Sequence, residues 1–419
     1  MALAELRATL ILKGEKVILA IAVLRSRRLS RIAQGLGISA VIVDSISLLR
    51  QLAFNGLAAS QPNCTPVKAE KRTYNLNLIE IDTPKKPQQR KEGQKLDIPI
   101  IQALRGIASL AVCWFHLTYL NSNFPRGLIS HSGRYGYLGV EVFFVISGFI
   151  VPYSLLTGGY ELKSFWKFLA KRVMRVDPPY LASILLVMAL ALLAAHSAAF
   201  AGAKPHFSVK QIILHLGYLI PFFENENWIN GVYWTLAVEF QYYVCLGLLF
   251  PALISKNPVV RRTAFLLALC APWINGNIVL LPHFAPLFLI GIVGMELMCK
   301  MIGRPEFLIV VTASVIAAAI KVGIPETCAG VGAIVCILCL RSSPRWLLAL
   351  GNISYSLYLV HEPIGDRVVN LGLRFWPSLT PTALPFLGCL ASIIFATTFY
   401  LAIERPAKGL ASKIRYRPT

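Results

Sequence analysis

The stretch Gln102–Tyr119, QALRGIASLAVCWFHLTY, is an apolar run that contains one arginine and one histidine. Arg105 and His116 are 11 residues apart. On one helix they would share a face to within about 20° and differ in height by roughly 16 Å. Ionisable side chains in membrane helices are costly and usually face a bundle interior or a water-filled cavity. The stretch therefore predicts a membrane helix with a functional stripe.

The composition places the whole chain in the same class. Of its 419 residues, 56% are apolar and 15% are charged, and the mean hydropathy is +0.62. Soluble proteins are typically about 45–50% apolar and about 25% charged. We therefore expect an all-α polytopic integral membrane bundle of about ten transmembrane helices. The net charge is +21. We expect the basic residues behind it to lie mainly in cytoplasmic loops and not to bind nucleic acid.

Three regions are expected along the chain. Residues 1–97 carry 16 Lys and Arg and no clean apolar span, which predicts a basic, partly disordered extension. Residues 98–409 form the membrane domain, and residues 410–419 form a short basic cytoplasmic tail. The predicted spans are 99–120, 136–156, 179–201, 232–254, 264–282, 284–300, 306–322, 327–341, 347–366 and 382–404.

The apolar stretch 209–223 decides the topology. It has about 15 residues, fewer than the roughly 20 that a span needs. If it does not cross, the inner loops of the core hold 17 basic residues and the outer loops hold seven. If it crossed, this bias would largely disappear. The positive-inside rule therefore predicts ten spans, both termini in the cytoplasm, and a re-entrant or interfacial 209–223.

An amphipathic segment, Leu162–Arg175, follows the second predicted span. Its lysines and final arginine recur every four residues, opposite an apolar face. Two interpretations stand side by side. It is a helix that rests on anionic membrane lipid, or it is a cationic seat for a phosphorylated cofactor.

Four further ionisable residues stand out inside the predicted spans, and their estimated depths all fall in the outer half of the membrane: His116, Glu141, Glu239 and His361. An imidazole near a carboxylate suits general base catalysis near neutral pH. Alternatively, such residues pair with one another and hold helices together. The CxxC at Cys336 and Cys339 has no second pair, so we expect no metal site.

Several motifs resemble those of one family, the membrane acyltransferase family 3, also called the OafA-like acyltransferases. The resemblance runs from Ile98 to about Gly409. The motifs are Arg105-x10-His116, GYLGVEVFFVISGFIV (136–151), KRVMRVDPPY (171–180), WTLAVEF (234–240), ISYSLYLVHEP (353–363) and ERP (404–406). Each motif alone is weak, but their order and spacing together are specific. Thr235 stands where the family more usually has serine.

The resemblance implies about ten membrane helices and transfer of an acyl group, most often acetyl, from acyl-coenzyme A to a hydroxyl. Family acceptors are mainly cell-surface polysaccharides, lipopolysaccharide sugars, peptidoglycan and glycolipids. It also implies that His116 is the catalytic centre and that Arg105, Arg172 and Arg175 are functionally important. Residues 1–97 have no counterpart in the family, and we expect no extracytoplasmic hydrolase-like domain.

From these observations we predict an O-acetyltransferase of the inner (plasma) membrane that uses acetyl-CoA. His116 would act as the general base, with Glu239 or, second, Glu141 orienting it. Donor phosphates would bind Arg105, Lys171, Arg172 and Arg175. Substrate-binding residues would be Trp234, Ser354, Tyr358 and His361.

Several alternatives stay open. The protein could be a proton-coupled transporter or flippase for a glycolipid or small metabolite. The transfer could pass through a covalent acyl-histidine or acyl-serine intermediate, the latter on Ser147. Expected partners are a polysaccharide or glycolipid acceptor, membrane lipid, and proteins of polysaccharide biosynthesis.

Overall fold

A computed structural model describes residues 98–196, 205–223, 225–274, 277–375 and 382–416, which form helices and loops without strands. The disorder predicted for residues 1–97 lies outside these ranges. The first helices are α1 (Pro99–Phe115), α2 (Leu128–Ser132), α3 (Gly139–Thr157), α4 (Phe165–Ala195), α5 (Val209–Leu216), α6 (Trp234–Leu253), α7 (Pro258–Cys270) and α8 (Leu281–Met298). They continue with α9 (Arg304–Lys321), α10 (Ile324–Cys339), α11 (Arg345–Asn352), α12 (Ser354–His361), α13 (Arg367–Phe375), α14 (Leu384–Phe399) and α15 (Arg405–Ser412).

Three five-residue π-helical segments extend these helices. His116–Leu120 continues α1, Glu362–Asp366 joins α12 to α13, and Tyr400–Glu404 joins α14 to α15. A π turn inserts one extra residue and is often found at functional sites. It also shifts the side chains that follow onto a different face of the helix.

The all-helical membrane class is confirmed for the described residues, but the expected number of about ten spans is not. Six helical stretches in these ranges are long and apolar enough to cross a membrane. They are Pro99–Leu120, Leu128–Thr157, Leu162–Ala195, Gly231–Leu253, Leu281–Met298 and Leu384–Ser412.

Four other predicted spans do not form helices that are long and apolar enough to cross a membrane, each for a local reason. In 264–282, α7 ends at Cys270 and Pro272 lies in the turn that follows, because proline cannot continue a helix. In 347–366, the chain breaks at Ile353 between α11 and α12. The stretches 306–322 and 327–341 do form helices, α9 and α10. However, α9 carries three charged residues and α10 has only 16 residues.

Contacts between helices give their directions in the bundle. Phe144 of α3 packs on Phe284 of α8 with ring centroids 4.8 Å apart, and Phe149 lies beside Gly294 further along both helices. These two helices are therefore parallel. Ile334 of α10 also lies against Gly294, so α10 ends near the end of α8.

The first helix runs in the opposite direction. Gly139 of α3 lies against Ala108 of α1, whereas Gly136, just before α3, lies against Ala111. We call the end of the bundle where α1 finishes and α3 begins the histidine end, because His116 lies there. The opposite end, where α3 finishes, is the arginine end, because Arg172 near the start of α4 contacts Ser154 there.

The 209–223 stretch contains only the eight-residue helix α5 and a short turn. At 1.5 Å per residue, a helix of this length extends about 12 Å, too short to cross a bilayer. After α5, the Tyr218 hydroxyl donates a hydrogen bond to Asp177 Oδ1 at 2.8 Å, and its ring stacks on Phe240. The stretch therefore reaches the middle of α4 and packs between helices.

The amphipathic Leu162–Arg175 is not a separate interfacial helix. After the turn Leu162–Ser164 it becomes the first part of α4, which continues without interruption to Ala195. Trp166 on this part is 77% exposed, while Arg172 is buried between neighbouring helices. The same segment therefore presents one face outward and another into the bundle.

Close packing of α3 on α8 gives a first testable prediction. A Cβ at Gly291 would overlap the carbonyl oxygen of Val145 and the backbone of Gly148. Backbone atoms cannot yield without moving a whole helix. We therefore expect Gly291→Ala to lower the free energy of unfolding by about 1–3 kcal/mol, measured as a lower thermal midpoint in detergent.

Gly332→Ala is the matched control, because Gly332 also lies inside a helix but a Cβ there would meet nothing within 4 Å. It should leave the midpoint unchanged or raise it slightly. Equal destabilisation by both substitutions would contradict the close approach of α3 and α8.

Candidate functional site

The histidine end brings His116 together with a carboxylate that sequence analysis did not single out. His116 Nδ1 lies 3.9 Å from Glu362 Oε2, within ion-pair range. Each of these residues begins a π-helical segment. The His116 side chain is 14% exposed, and that of Glu362 is 32% exposed. A largely buried imidazole beside a carboxylate is the arrangement that general base catalysis uses.

His361 lies next to this pair. Its ring centroid is 4.9 Å from that of His116, with the rings nearly perpendicular. His361 is fully buried, and its Nδ1 is 3.0 Å from the Leu357 carbonyl oxygen. Because a carbonyl only accepts hydrogen bonds, Nδ1 carries the proton there and Nε2 is left as an acceptor. Within the described residues, Nε2 has no hydrogen-bond partner.

A cavity of about 60 Å³ lies deeper in the bundle, between α1, α3, α6 and α12. Ser147 and Glu239 face each other in its wall, where the Ser147 hydroxyl donates to Glu239 Oε1 at 2.8 Å. Arg105 and Tyr358 also line it. The cavity therefore extends from Arg105 to Tyr358 of α12, the helix that also carries His361.

Side chains of α12 hold two parts of this wall in place. The Arg105 Nε donates to Ser354 Oγ at 3.2 Å. The Tyr358 hydroxyl lies 2.7 Å from Thr235 Oγ1 and donates to the Val232 carbonyl at 3.1 Å. The stripe Ser354, Tyr358 and His361 thus faces the bundle interior. Ser354 positions an arginine, Tyr358 lines the cavity, and His361 contacts His116.

The arginine end gathers positive charge. Arg172 Nη2 donates to Ser154 Oγ at 2.8 Å, and its guanidinium lies over Phe168 and Tyr243. Its buried Nε has no hydrogen-bond partner among the described residues. Arg175 is close enough to both Arg105 and Arg172 to repel them electrostatically. Glu239 is near enough to attract Arg105 and Arg172, and this attraction partly offsets the repulsion. The gathered positive charge still favours a bound anion.

Lys171 occupies a different position at the same end. Its Nζ donates to the Ile414 carbonyl at 3.1 Å and lies 5.1 Å from the Tyr416 ring centroid. It therefore ties the start of α4 to the segment that follows α15. Its charge adds to the basic cluster, but its side chain already has these contacts.

The two carboxylates that sequence analysis assigned to His116 lie elsewhere. Glu239 is engaged by Ser147 in the cavity wall. Glu141 is buried in the first turn of α3, and its Oε2 has no hydrogen-bond partner within the described part of the chain. The orienting role predicted for Glu239 or Glu141 thus has a better-placed candidate in Glu362. Depth estimates alone could not distinguish carboxylates at similar heights.

Trp234, expected to bind substrate, lies behind the cavity wall. Its ring packs against Phe284 and Phe144, with centroids 5.6 and 6.3 Å away. Phe144 in turn lines the cavity. In this structure Trp234 supports the wall.

Sequence analysis missed two acidic residues at the histidine end, Glu362 and Asp366. Both lie inside the predicted span 347–366, and Glu362 directly follows His361. Glu362 Oε2 and Asp366 Oδ1 are buried atoms without hydrogen-bond partners in the described ranges. The depth argument used for His361 would have found Glu362 as well. Nothing in the sequence pattern indicates that the packing of the helices places Glu362 beside His116.

Comparison with known protein families gives one match that covers most of the chain. A family model described as an acyltransferase domain matches residues 98–401. This range contains every candidate site residue named above. No solved structure matches the chain.

Individual relatives match over shorter stretches. A protein of Staphylococcus aureus strain COL, provisionally named an O-acetyltransferase, is 31% identical over 35% of this chain and 24% of its own length. A protein of Acidianus two-tailed virus, provisionally named an acetyltransferase, is 31% identical over 45% of this chain and 51% of its own. The O-acetyltransferase OatA of Staphylococcus aureus strain NCTC 8325 is 26% identical over 45% of this chain and 30% of its own. The matched part thus spans about half or less of each relative.

Proposed function

The chain belongs to the acyltransferase family whose domain model matches residues 98–401, and from that membership we propose that it is an integral-membrane O-acetyltransferase. Its donor would be acetyl-CoA, and its acceptor a hydroxyl of a cell-surface polysaccharide or glycolipid. The relatives named as acetyltransferases support the acyl group and the oxygen acceptor. Six apolar helices support a multi-pass membrane location.

The observation that carries this proposal is the His116–Glu362 pair at the histidine end. His116 Nδ1 faces the carboxylate, which leaves Nε2 as the nitrogen that can take a proton from a hydroxyl. Glu362 would hold the imidazole in that tautomer and stabilise its charged form, as the acid of a catalytic triad does. Transfer to a hydroxyl needs such a base, because an alcohol is a weak nucleophile until its proton is removed.

The arginine end supports an anionic donor. Arg172 has a buried Nε without a hydrogen-bond partner in the described residues, and Arg105 and Arg175 lie close by. These arginines, with Lys171 adding charge, would hold the phosphates of acetyl-CoA by charge-assisted hydrogen bonds. When bound, acetyl-CoA supplies the activated thioester carbonyl.

The chain's own side chains would carry out the proton transfers and line the path to the base. His116 Nε2 would accept the acceptor hydroxyl proton while the oxygen attacks the carbonyl, and would then return that proton to the departing thiolate. The cavity lined by Arg105, Ser147 and Glu239 would form the path between donor and base. Its apolar walls, including Phe144, exclude water, which would otherwise compete as an acceptor.

We further propose that the protein lies in the inner (plasma) membrane, with the arginine end and both termini on the cytoplasmic side. The distribution of basic residues among the loops supports this orientation. Acetyl-CoA would then be bound from the cytoplasm, and the acceptor would meet His116 near the opposite face. Proteins of polysaccharide biosynthesis would supply that acceptor.

The direct test is transfer of labelled acetyl from acetyl-CoA to glycans in membranes that contain the protein. Glycans from cells with and without the protein are then compared by mass spectrometry for the acetyl mass increment. Transfer that depends on the protein supports the proposal. Movement of a glycolipid or metabolite across the membrane, without any acetyl transfer, would instead favour a transporter.

Alanine substitution of Arg172 or Arg175 is expected to raise the apparent KM for acetyl-CoA about tenfold or more. Each variant would lose a charge-assisted hydrogen bond from an arginine to a donor phosphate, and such bonds are stronger than those between neutral groups. The measurement is the acetylation rate as a function of donor concentration. Arg415→Ala removes an exposed arginine near the same end and should leave KM unchanged. Unchanged donor dependence with weakened acceptor use would contradict the donor assignment.

A further inference from the structure

A second cavity, of about 590 Å³, lies at the arginine end on another side of the bundle. It is formed where α8 ends, α9 begins and α10 ends. Three basic side chains line it, those of Lys300, Arg304 and Arg341, together with the apolar Leu297, Ile302 and Leu338. Its volume lies within the range of about 300–1,000 Å³ that is usual for sites of small ligands.

The basic side chains around this cavity have no acidic partner in the part of the chain that the structure describes. Within the described residues, none of these three side chains has a hydrogen bond or an ion pair. The neighbouring acid Glu306, in the first turn of α9, is already held by Arg262 at 2.9 Å and by Arg261 at 3.2 Å. Clustered cations of this kind favour the binding of an anion.

The backbone at Lys300 has the conformation of a helix end. Its φ is 58°, in the left-handed region that favours glycine. The Met301 amide donates to the Glu296 carbonyl and the Lys300 amide to the Leu297 carbonyl, as in helix ends where glycine is the usual residue. A lysine therefore occupies the position that ends α8, at the mouth of the cavity.

We propose that this cavity binds the headgroup of an anionic phospholipid. The phosphate would lie among Lys300, Arg304 and Arg341, and the glycerol and first methylene groups would lie against Leu297, Ile302 and Leu338. Basic pockets between membrane helices bind anionic headgroups in this way. A free phosphate would use the cations but leave the apolar half of the lining in contact with water, so the mixed lining selects a lipid.

The site is separate from the proposed donor site. None of its lining residues belongs to the cluster of Arg105, Arg172 and Arg175, and the proposal does not depend on the acetyl transfer. Its role would be to anchor the ends of α8, α9 and α10 at the membrane surface.

The test uses the full chain, purified in detergent and freed of lipid. Native mass spectrometry measures retention of phosphatidylglycerol and of phosphatidylcholine, and thermal unfolding measures stabilisation by each lipid and by inorganic phosphate. We expect one tightly retained phosphatidylglycerol, weaker retention of phosphatidylcholine, and no stabilisation by phosphate alone. Combining Lys300→Gln, Arg304→Gln and Arg341→Gln should weaken retention by about fivefold for each residue replaced.

The matched control combines Lys256→Gln, Arg345→Gln and Lys413→Gln, which remove the same charge from exposed positions elsewhere and should leave retention unchanged. If the triple variant fails to fold, the single Arg341→Gln is used in its place. Equal retention of both lipids, or undiminished retention by the variant, would overturn the proposal. Stabilisation by phosphate equal to that by phosphatidylglycerol would also overturn it, in favour of a soluble anion.

Discussion

His116→Ala should reduce acetyl transfer by about 10²–10⁴-fold while the protein stays folded in the membrane. The variant removes the only nitrogen that the proposed mechanism uses to take the hydroxyl proton. Because His116 lies at the end of α1, away from Ala108 where Gly139 of α3 packs, its loss should leave the packing of α1 on α3 intact. The measurement is the initial rate of labelled acetyl transfer at saturating donor, normalised to the amount of folded protein.

The matched control is His196→Ala, which replaces an exposed histidine at the end of α4 and should transfer at the normal rate. Size-exclusion behaviour and the thermal midpoint of both variants should match those of the unchanged protein. Retained acetylation by His116→Ala would contradict the assignment of the general base.

Glu362→Gln should lower kcat by about 10²-fold or more, with little change in the KM for acetyl-CoA. The amide keeps the shape of the side chain but removes the charge that, in the proposed mechanism, orients the imidazole and stabilises the imidazolium. The effect is expected on kcat because the proposed donor site lies at the opposite end of the bundle. Kinetics at varied donor concentration separate the two parameters.

If Glu362 acts by orienting His116, two further results are expected besides the loss of rate. Glu362→Asp, which keeps the charge, should recover part of the activity that Glu362→Gln loses. In the double variant with His116→Ala, Glu362→Gln should cost nothing further, because residues that act as a unit are not additive. The opposite result would be normal activity of Glu362→Gln together with a lowered kcat and unchanged KM of Glu239→Gln. That result would assign the orienting role to Glu239.

Much of this molecule follows from local sequence pattern. The predicted spans 99–120, 136–156, 232–254, 284–300 and 382–404 each correspond to a helix long enough to cross the membrane. Runs of apolar residues suffice for this, because an isolated segment must satisfy its backbone hydrogen bonds internally in lipid. The shortness of 209–223 likewise excluded a span. The family was recognisable from the order and spacing of six motifs.

Other features depend on how the helices meet. The chain turns at Ile353 where α11 crosses α1, with Gly351 against the Gln102 carbonyl and Gly106 against the backbone of Gly351. A hydropathy profile shows an apolar run there and gives no sign of the break. Charge pattern predicted an amphipathic helix at Leu162–Arg175, but only packing shows that it continues into α4.

The candidate site divides in the same way. The sequence by itself determined that an arginine and a histidine share the first helix and that acidic residues lie at similar depth. Only the tertiary structure decided that Glu362 faces His116, that Glu239 is held by Ser147, and that His361 Nε2, beside them, has no hydrogen-bond partner among the described residues. The physical reason is that periodicity fixes which residues share a face of one helix, whereas which faces of two helices meet depends on how α1 and α12 pack against each other.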